Sequence, residues 1–184
     1  MKNSKIAIVL ILSLLFTSKL FSQSTTDLDE KKGFKDFILG DDYSKWSNDL
    51  KFDENVGEKK YYAYTGTCCQ QVFQYDLENI ILGFKDNKLV IIYLITTKNK
   101  STNTNEFPFL EYVSIKSSFT SLFGKPYEYA NDNSGNIIST WNGENVFLTL
   151  EEIYLGIKGE SDNIYASYKC TILIGLRPNI KSGF

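Results

Sequence analysis

The strongest constraint on this chain lies between Ile80 and Ile95. Ile80-Ile81-Leu82-Gly83-Phe84 and Leu89-Val90-Ile91-Ile92-Tyr93-Leu94-Ile95 flank a polar Lys85-Asp86-Asn87-Lys88. β-Branched and aromatic residues favour strands, and an Asp-Asn step tolerates the positive φ angles of a tight turn, so the segment reads as a β-hairpin. In the second arm Leu89, Ile91, Tyr93 and Ile95 point one way and Val90, Ile92 and Leu94 the other. A strand with one wet face would alternate apolar with polar. This one needs cover on both faces and belongs in the middle of a sheet.

The chain opens with Lys2 and Lys5, then the apolar Ile6 to Phe16, then Thr17 to Ser22. That order is a positive n-region, an h-region too short to span a bilayer, and a cleavage region, so residues 1–22 read as a signal peptide cut before Gln23. No cysteine lies at the boundary to carry a lipid, and no later run is long and apolar enough to span. The expectation is a mature protein exported to the periplasm or beyond.

Removing Lys2, Lys5 and Lys19 lowers the basic residues from 20 to 17 against 22 acidic ones, a net charge of −5. A nucleic-acid partner would need a basic face, so none is expected. About 160 mature residues suffice for one domain with a full core.

Residues 23–33 are polar and aperiodic, a flexible lead-in; a single domain follows over 34–178, and 179–184 form a tail. Gly33 to Gly40 reads as extended. Asp41-Asp42 suits the cap of a short helix with Tyr43, Trp46 and Leu50 inside. Residues 53–60 read as a charged loop, Tyr61 to Tyr64 and Cys69 to Leu77 as strands, and Lys98 to Glu106 as a loop. A helix is predicted over Pro108 to Phe123, with Leu110, Tyr112, Ile115, Phe119, Leu122 and Phe123 inside and Gly124 with Pro126 ending it. Tyr127 to Ala130 reads as a short strand. Asn142-Gly143 between Ile137–Trp141 and Glu144–Tyr154 is a strong hairpin signal. Leu155 to Ser167 reads as a loop and Tyr168 to Leu176 as the last strand. The result is α+β: two layers, a mostly antiparallel sheet with two helices on one face.

Two related halves are suggested by Leu39-Gly40 leading a short helix and by the helix ending in Leu122-Phe123-Gly124-Lys125-Pro126, each followed by strands, with Trp141 in the second set. This pattern resembles small exported modules of the β-lactamase inhibitor protein type, and the small lipoprotein module of the outer-membrane β-barrel assembly machinery. The resemblance implies a protein-binding role and no catalytic residue. The chain departs from it in having no lipoprotein cysteine and no Gly-x-Pro after its first helix.

No histidine is present. Ser-His-Asp and Cys-His nucleophile pairs and histidine-ligated zinc are thereby excluded. The adjacent carboxylates Asp41/Asp42 and Glu151/Glu152 lack the facing geometry of a glycosidase pair: the first reads as a helix cap, and the second splits across a strand. No metal site and no cofactor are expected. Cys68, Cys69 and Cys170 are the three cysteines. In an oxidising compartment Cys170 could pair with Cys69 or with Cys68, against the alternative of buried free thiols.

Tyr61, Tyr62 and Tyr64 are the candidate binding group, since tyrosine offers a rigid contact with a polar tip; strand faces also simply favour tyrosine. The sequence thus points to an exported, non-catalytic module that binds another envelope protein. A carboxylate-dependent envelope hydrolase and a small-ligand or glycan binder are the alternatives.

Overall fold

The computed structural model describes residues 25–101, 109–130, 136–160 and 163–178. The proposed leader and the tail lie outside them. Among the described residues no helix is long and apolar enough to cross a membrane.

The chain runs through helix α1 (Thr26–Lys31), a hairpin of β1 (Gly33–Phe34) and β2 (Phe37–Ile38), and two 3-10 turns (Tyr43–Lys45, Ser47–Asp49). Strands β3 (Leu50–Val56), β4 (Lys59–Tyr64), β5 (Gln71–Val72), β6 (Tyr75–Lys85), β7 (Lys88–Thr96) and β8 (Asn99–Ser101) follow. Helix α2 (Leu110–Phe123) then leads to β9 (Tyr127–Ala130), β10 (Ile137–Asn142), β11 (Val146–Glu160) and β12 (Asn163–Leu176).

One antiparallel sheet carries the fold, in the order β3-β4-β6-β7-β12-β11-β10-β9, with β5 on β6 and β8 on β12. The β6–β7 hairpin sits mid-sheet as expected. Asp86 and Asn87 both take positive φ, 52° and 61°, and Lys85 pairs with Lys88 across them. The C-terminal strand β12 lies between β7 and β11, joining the two halves of the sheet.

One face of the sheet is the core. Register aligns Tyr62, Leu82, Ile92, Ile174, Leu148 and Trp141 across six strands, with Ile80, Leu94, Ile172 and Leu150 beside them. Tyr112, Ile115, Phe119 and Phe123 of α2 and Leu28 of α1 close over this row. Both helices lie on this face, which makes the fold a two-layer α+β one.

Several expectations change. The lead-in is helical, and Leu28, only 1% exposed, belongs to the core; the ordered domain therefore begins before residue 34. The helix expected after Asp42 is two 3-10 turns, and Asp41 instead binds Lys45 Nζ at 2.7 Å and Trp46 Nε1 at 3.4 Å. Residues 53–60 are mostly a hairpin turning at Gly57, whose φ of 59° suits glycine. The Cys69 to Leu77 stretch breaks at Phe73, φ 52°, where β5 turns back onto β6. Residues 99–101 pair as β8, and Leu155 to Ser167 largely extends the β11–β12 hairpin. In α2 the buried positions are Glu111, Tyr112, Ile115, Phe119 and Phe123, whereas Leu110 faces out. Pro108 lies outside the described residues.

The second hairpin turns two residues later than its Asn-Gly signal. Asn142 stays in register with Phe147, and Gly143 N–H donates to the Val146 carbonyl around Glu144-Asn145. The cause is Asp29 of α1, which accepts the backbone N–H groups of Glu144, Asn145 and Val146 at 2.5, 2.7 and 2.8 Å. A Cβ on Gly143 would lie 2.6 Å from the same carboxylate, so glycine is required there for space.

Candidate functional site

The face of the sheet opposite the helices is built from the alternate residues of the same strands. In β7 these are Ile91, Tyr93 and Ile95, all half-buried, while Ile92 and Leu94 are in the core. Leu89 also turns inward, to Phe84, because the register shifts between Gly83 and Phe84, so the expected pattern of alternation fails at that one residue.

Two register rows define this outer face. Ala63, Ile81, Tyr93, Leu173, Thr149, Thr140 and Tyr127 align across seven strands. Beside them run Tyr61, Gly83, Ile91, Gly175 and Phe147. The glycines in the second row have a steric reason. A Cβ on Gly83 would lie 2.7 Å from Tyr61 Cε1, and one on Gly175 2.8 Å from Phe147 Cε1. Both rings lie over bare backbone, which keeps the face low. At its far edge Tyr127 and Tyr129 are exposed, their rings 5.9 Å apart. At the near edge Asp53, Glu54, Val56, Tyr61, Ile81 and Tyr93 line a cleft of about 250 Å³. Burial, then the neighbouring Glu54 carboxylate, raises the Tyr93 hydroxyl above its ordinary value, so it is a neutral donor there.

Strand alternation divides the tyrosine group. Tyr61 belongs to the outer face. Tyr62 points to the helix side, 5.1 Å from Tyr43 and 5.9 Å from Phe84, and Tyr64 sits edge-on to Phe37 at 4.9 Å. The three do not form one surface. Tyr93, Tyr127 and Tyr129 share Tyr61's side of the sheet in two separate pairs: the Tyr61 and Tyr93 rings lie 6.2 Å apart across β6, while Tyr127 and Tyr129 stand on β9, four strands beyond β7.

Of the two readings left open for the cysteines, the structure holds free thiols, at all three positions. Cys170 is fully buried on β12, and its N–H donates to Thr96 Oγ1 at 2.9 Å. Cys68 and Cys69 are half-buried in the β4–β5 loop, their sulfurs 2.7 Å apart. The doublet is in a loop and not on a strand, so its side chains are not forced to opposite faces. Sγ of Cys69 lies 3.8 Å from Asp36 Oδ2, and Sγ of Cys68 lies 3.1 Å from the Tyr64 hydroxyl.

Glu151 and Glu152 separate as expected. Glu151 faces outward and accepts from Asn136 Nδ2 at 2.9 Å. Glu152 is fully buried and accepts the Phe109 N–H at 2.8 Å, with its other oxygen unpaired. Burial, less the Phe109 bond and with Glu111 adding repulsion, pushes its carboxyl up to about 7. Glu111, 2% exposed in the first turn of α2, is held by Asn99, and burial raises it too. This buried acidic pair escaped the sequence reading. The available signal was that Glu111 stands four residues before Ile115 and eight before Phe119, on the inner stripe of the helix.

On the helix side, Phe34, Val72, Phe73, Phe119, Leu122 and Phe123 line most of an apolar cleft of about 220 Å³. Small-molecule sites usually span ~300–1,000 Å³, so this one suits at most a small group. Comparison with known proteins finds no matching family model, curated protein or solved structure.

Proposed function

We propose that this is an exported, non-catalytic binding module that engages another envelope protein through the outer face of its sheet. One observation carries the reading: an apolar, aromatic face runs from Val56 and Tyr61 to Tyr127 and Tyr129, and no described helix lies over it. Its middle is half-buried and its ends are exposed at Val56, Tyr127 and Tyr129; apolar surface left uncovered marks interaction sites, and tyrosine is enriched in them. Asp53 and Glu54 rim one end. The partner expected is therefore a protein surface with apolar side chains flanked by lysine or arginine. The leader-like residues 1–22 support export. The resemblance to small inhibitor-type modules supports binding over catalysis. Descent of the two halves from one unit belongs to the same proposal, supported by the glycines that follow Leu39 and Phe123.

The test is affinity purification of the tagged protein from cross-linked native envelope. A partner should be recovered at near-equal stoichiometry, lost with Tyr93→Glu, and kept with Lys116→Ala on the helix side. Recovery of the protein alone, or a partner indifferent to Tyr93→Glu, would overturn the reading.

A further inference from the structure

The β4–β5 loop brings two thiols together in a way that the rest of the chain does not need. Adjacent cysteines in extended backbone point apart. Here Cys69 takes a left-handed φ of 66°, which is costly for a residue with a Cβ, and the turn directs both sulfurs to the same side. At 2.7 Å the sulfurs are closer than unbonded thiols pack, and a modest movement from the ~2.05 Å of a disulfide. The surroundings disfavour a charged alternative. Asp36 Oδ2 lies 3.8 Å from Cys69 Sγ, and burial, with the Cys68 thiol beside it, pushes the Cys69 thiol up to about 11. Asp36 with the two sulfurs would make a three-atom ligand set for a soft metal ion, all within 4.8 Å of one another. That use would require both thiols to ionise beside a carboxylate, and sulfurs sharing one ion stand farther apart than these.

We propose that Cys68 and Cys69 form a vicinal disulfide, a redox-sensitive ring in the loop that meets the β1–β2 hairpin at Asp36. Formation is thiol–disulfide exchange with a small-molecule or enzymic disulfide. One cysteine sulfur attacks the oxidant, releasing its first thiol; the other then displaces the second. Two cysteine thiols are oxidised, one oxidant disulfide is reduced, and the two cysteine protons leave on the two released thiols. The ring is neutral, which suits a half-buried site beside a carboxylate. Opening it restores two donors next to Tyr64, whose hydroxyl burial and the Cys68 contact hold at about 12. The oxidation state therefore bears on how the loop seats against Phe37 and Trp46, whose rings surround Tyr64.

The test needs no knowledge of partner or compartment. Purified full-length protein is equilibrated with oxidised glutathione, alkylated in denaturant with chelator present, and digested with trypsin. Lys60 and Lys85 place both cysteines in the single peptide 61–85, separate from Cys170. The expected peptide is unalkylated and about 2 Da lighter than its dithiol form, while Cys170 is alkylated. With Cys68→Ser, Cys69 should appear as a mixed disulfide with glutathione. Two alkylated or two glutathionylated cysteines in peptide 61–85 would overturn the proposal, as would a cross-link from that peptide to Cys170. So would a parallel sample without chelator in which the two thiols resist alkylation that they undergo when chelator is present.

Discussion

The Asp29 carboxylate holds the backbone N–H of Val146 at 2.8 Å, tying the first helix to a turn more than a hundred residues away. With the Glu144 and Asn145 bonds, one side chain organises the turn and seats α1. Burial works to raise this carboxyl, but the three amide donors outweigh it and hold it below the usual range.

Asp29→Ala should therefore destabilise the fold by about 1–2 kcal/mol, the modest figure reflecting a largely solvated site. The exposed neighbour variant Glu30→Ala should stay within about 0.5 kcal/mol of the parent. The Asp29 contribution is present above the unfolded carboxylate value and is lost as pH falls through the lower folded one. Urea titrations from pH 6 down to pH 3 on parent and variant should show their difference narrowing towards the acid end. A constant difference across that range would rule out the linkage.

Glu152 has the opposite sign. Its folded value of about 7 lies above that of an unfolded glutamate, so the folded state retains a proton that the unfolded state releases. Stability from this group is full below ~4.3 and declines as pH rises towards 7. Glu152→Gln should flatten that decline and be relatively more stable at pH 8 than at pH 5. Equal effects at both values would mean that the buried acid does not titrate in this window.

Gly83→Ala forces a Cβ to within 2.7 Å of Tyr61 Cε1 and 2.6 Å of Ile91 Cγ2. A loss of about 1–3 kcal/mol is expected from overpacking. Because the clash is shared with Tyr61, Gly83→Ala should cost less in a Tyr61→Ala background. A double-mutant cycle measures this; strict additivity would mean that the ring does not rest on the glycine.

Leu28→Ala should cost roughly 2–4 kcal/mol, the range for a buried leucine in a close-packed core. A flexible lead-in would give no change. Chemical denaturation distinguishes the two.

What could be read from the sequence was local. The Asp86-Asn87 turn, the β6 and β7 arms, α2 and the splitting of Glu151 from Glu152 follow from side-chain period and turn chemistry. What could not be read depends on distant partners. Leu28 becomes core only because α2 and β11 provide a surface for it. The Asn142-Gly143 signal yields to Asp29, which a window along the chain cannot include. The three tyrosines lie within four residues of one another, but pleating puts Tyr61 on one face and Tyr62 and Tyr64 on the other. Tyr93, Tyr127 and Tyr129 share the outer face because of strand order, which has no local signature.

The position of β12 has a consequence for assembly. β3-β4-β6-β7 can pair through nearby hairpins, and β9-β10-β11 likewise, but among the described strands of the sheet β12 alone is hydrogen-bonded to both groups. The strand at the sheet's centre is thus made after every other described strand of the sheet. A chain made N-terminus first cannot complete this sheet until residues 163–176 are free to pair. A truncation before Asn163 would leave two half-sheets with no strand hydrogen-bonded between them rather than a smaller complete sheet.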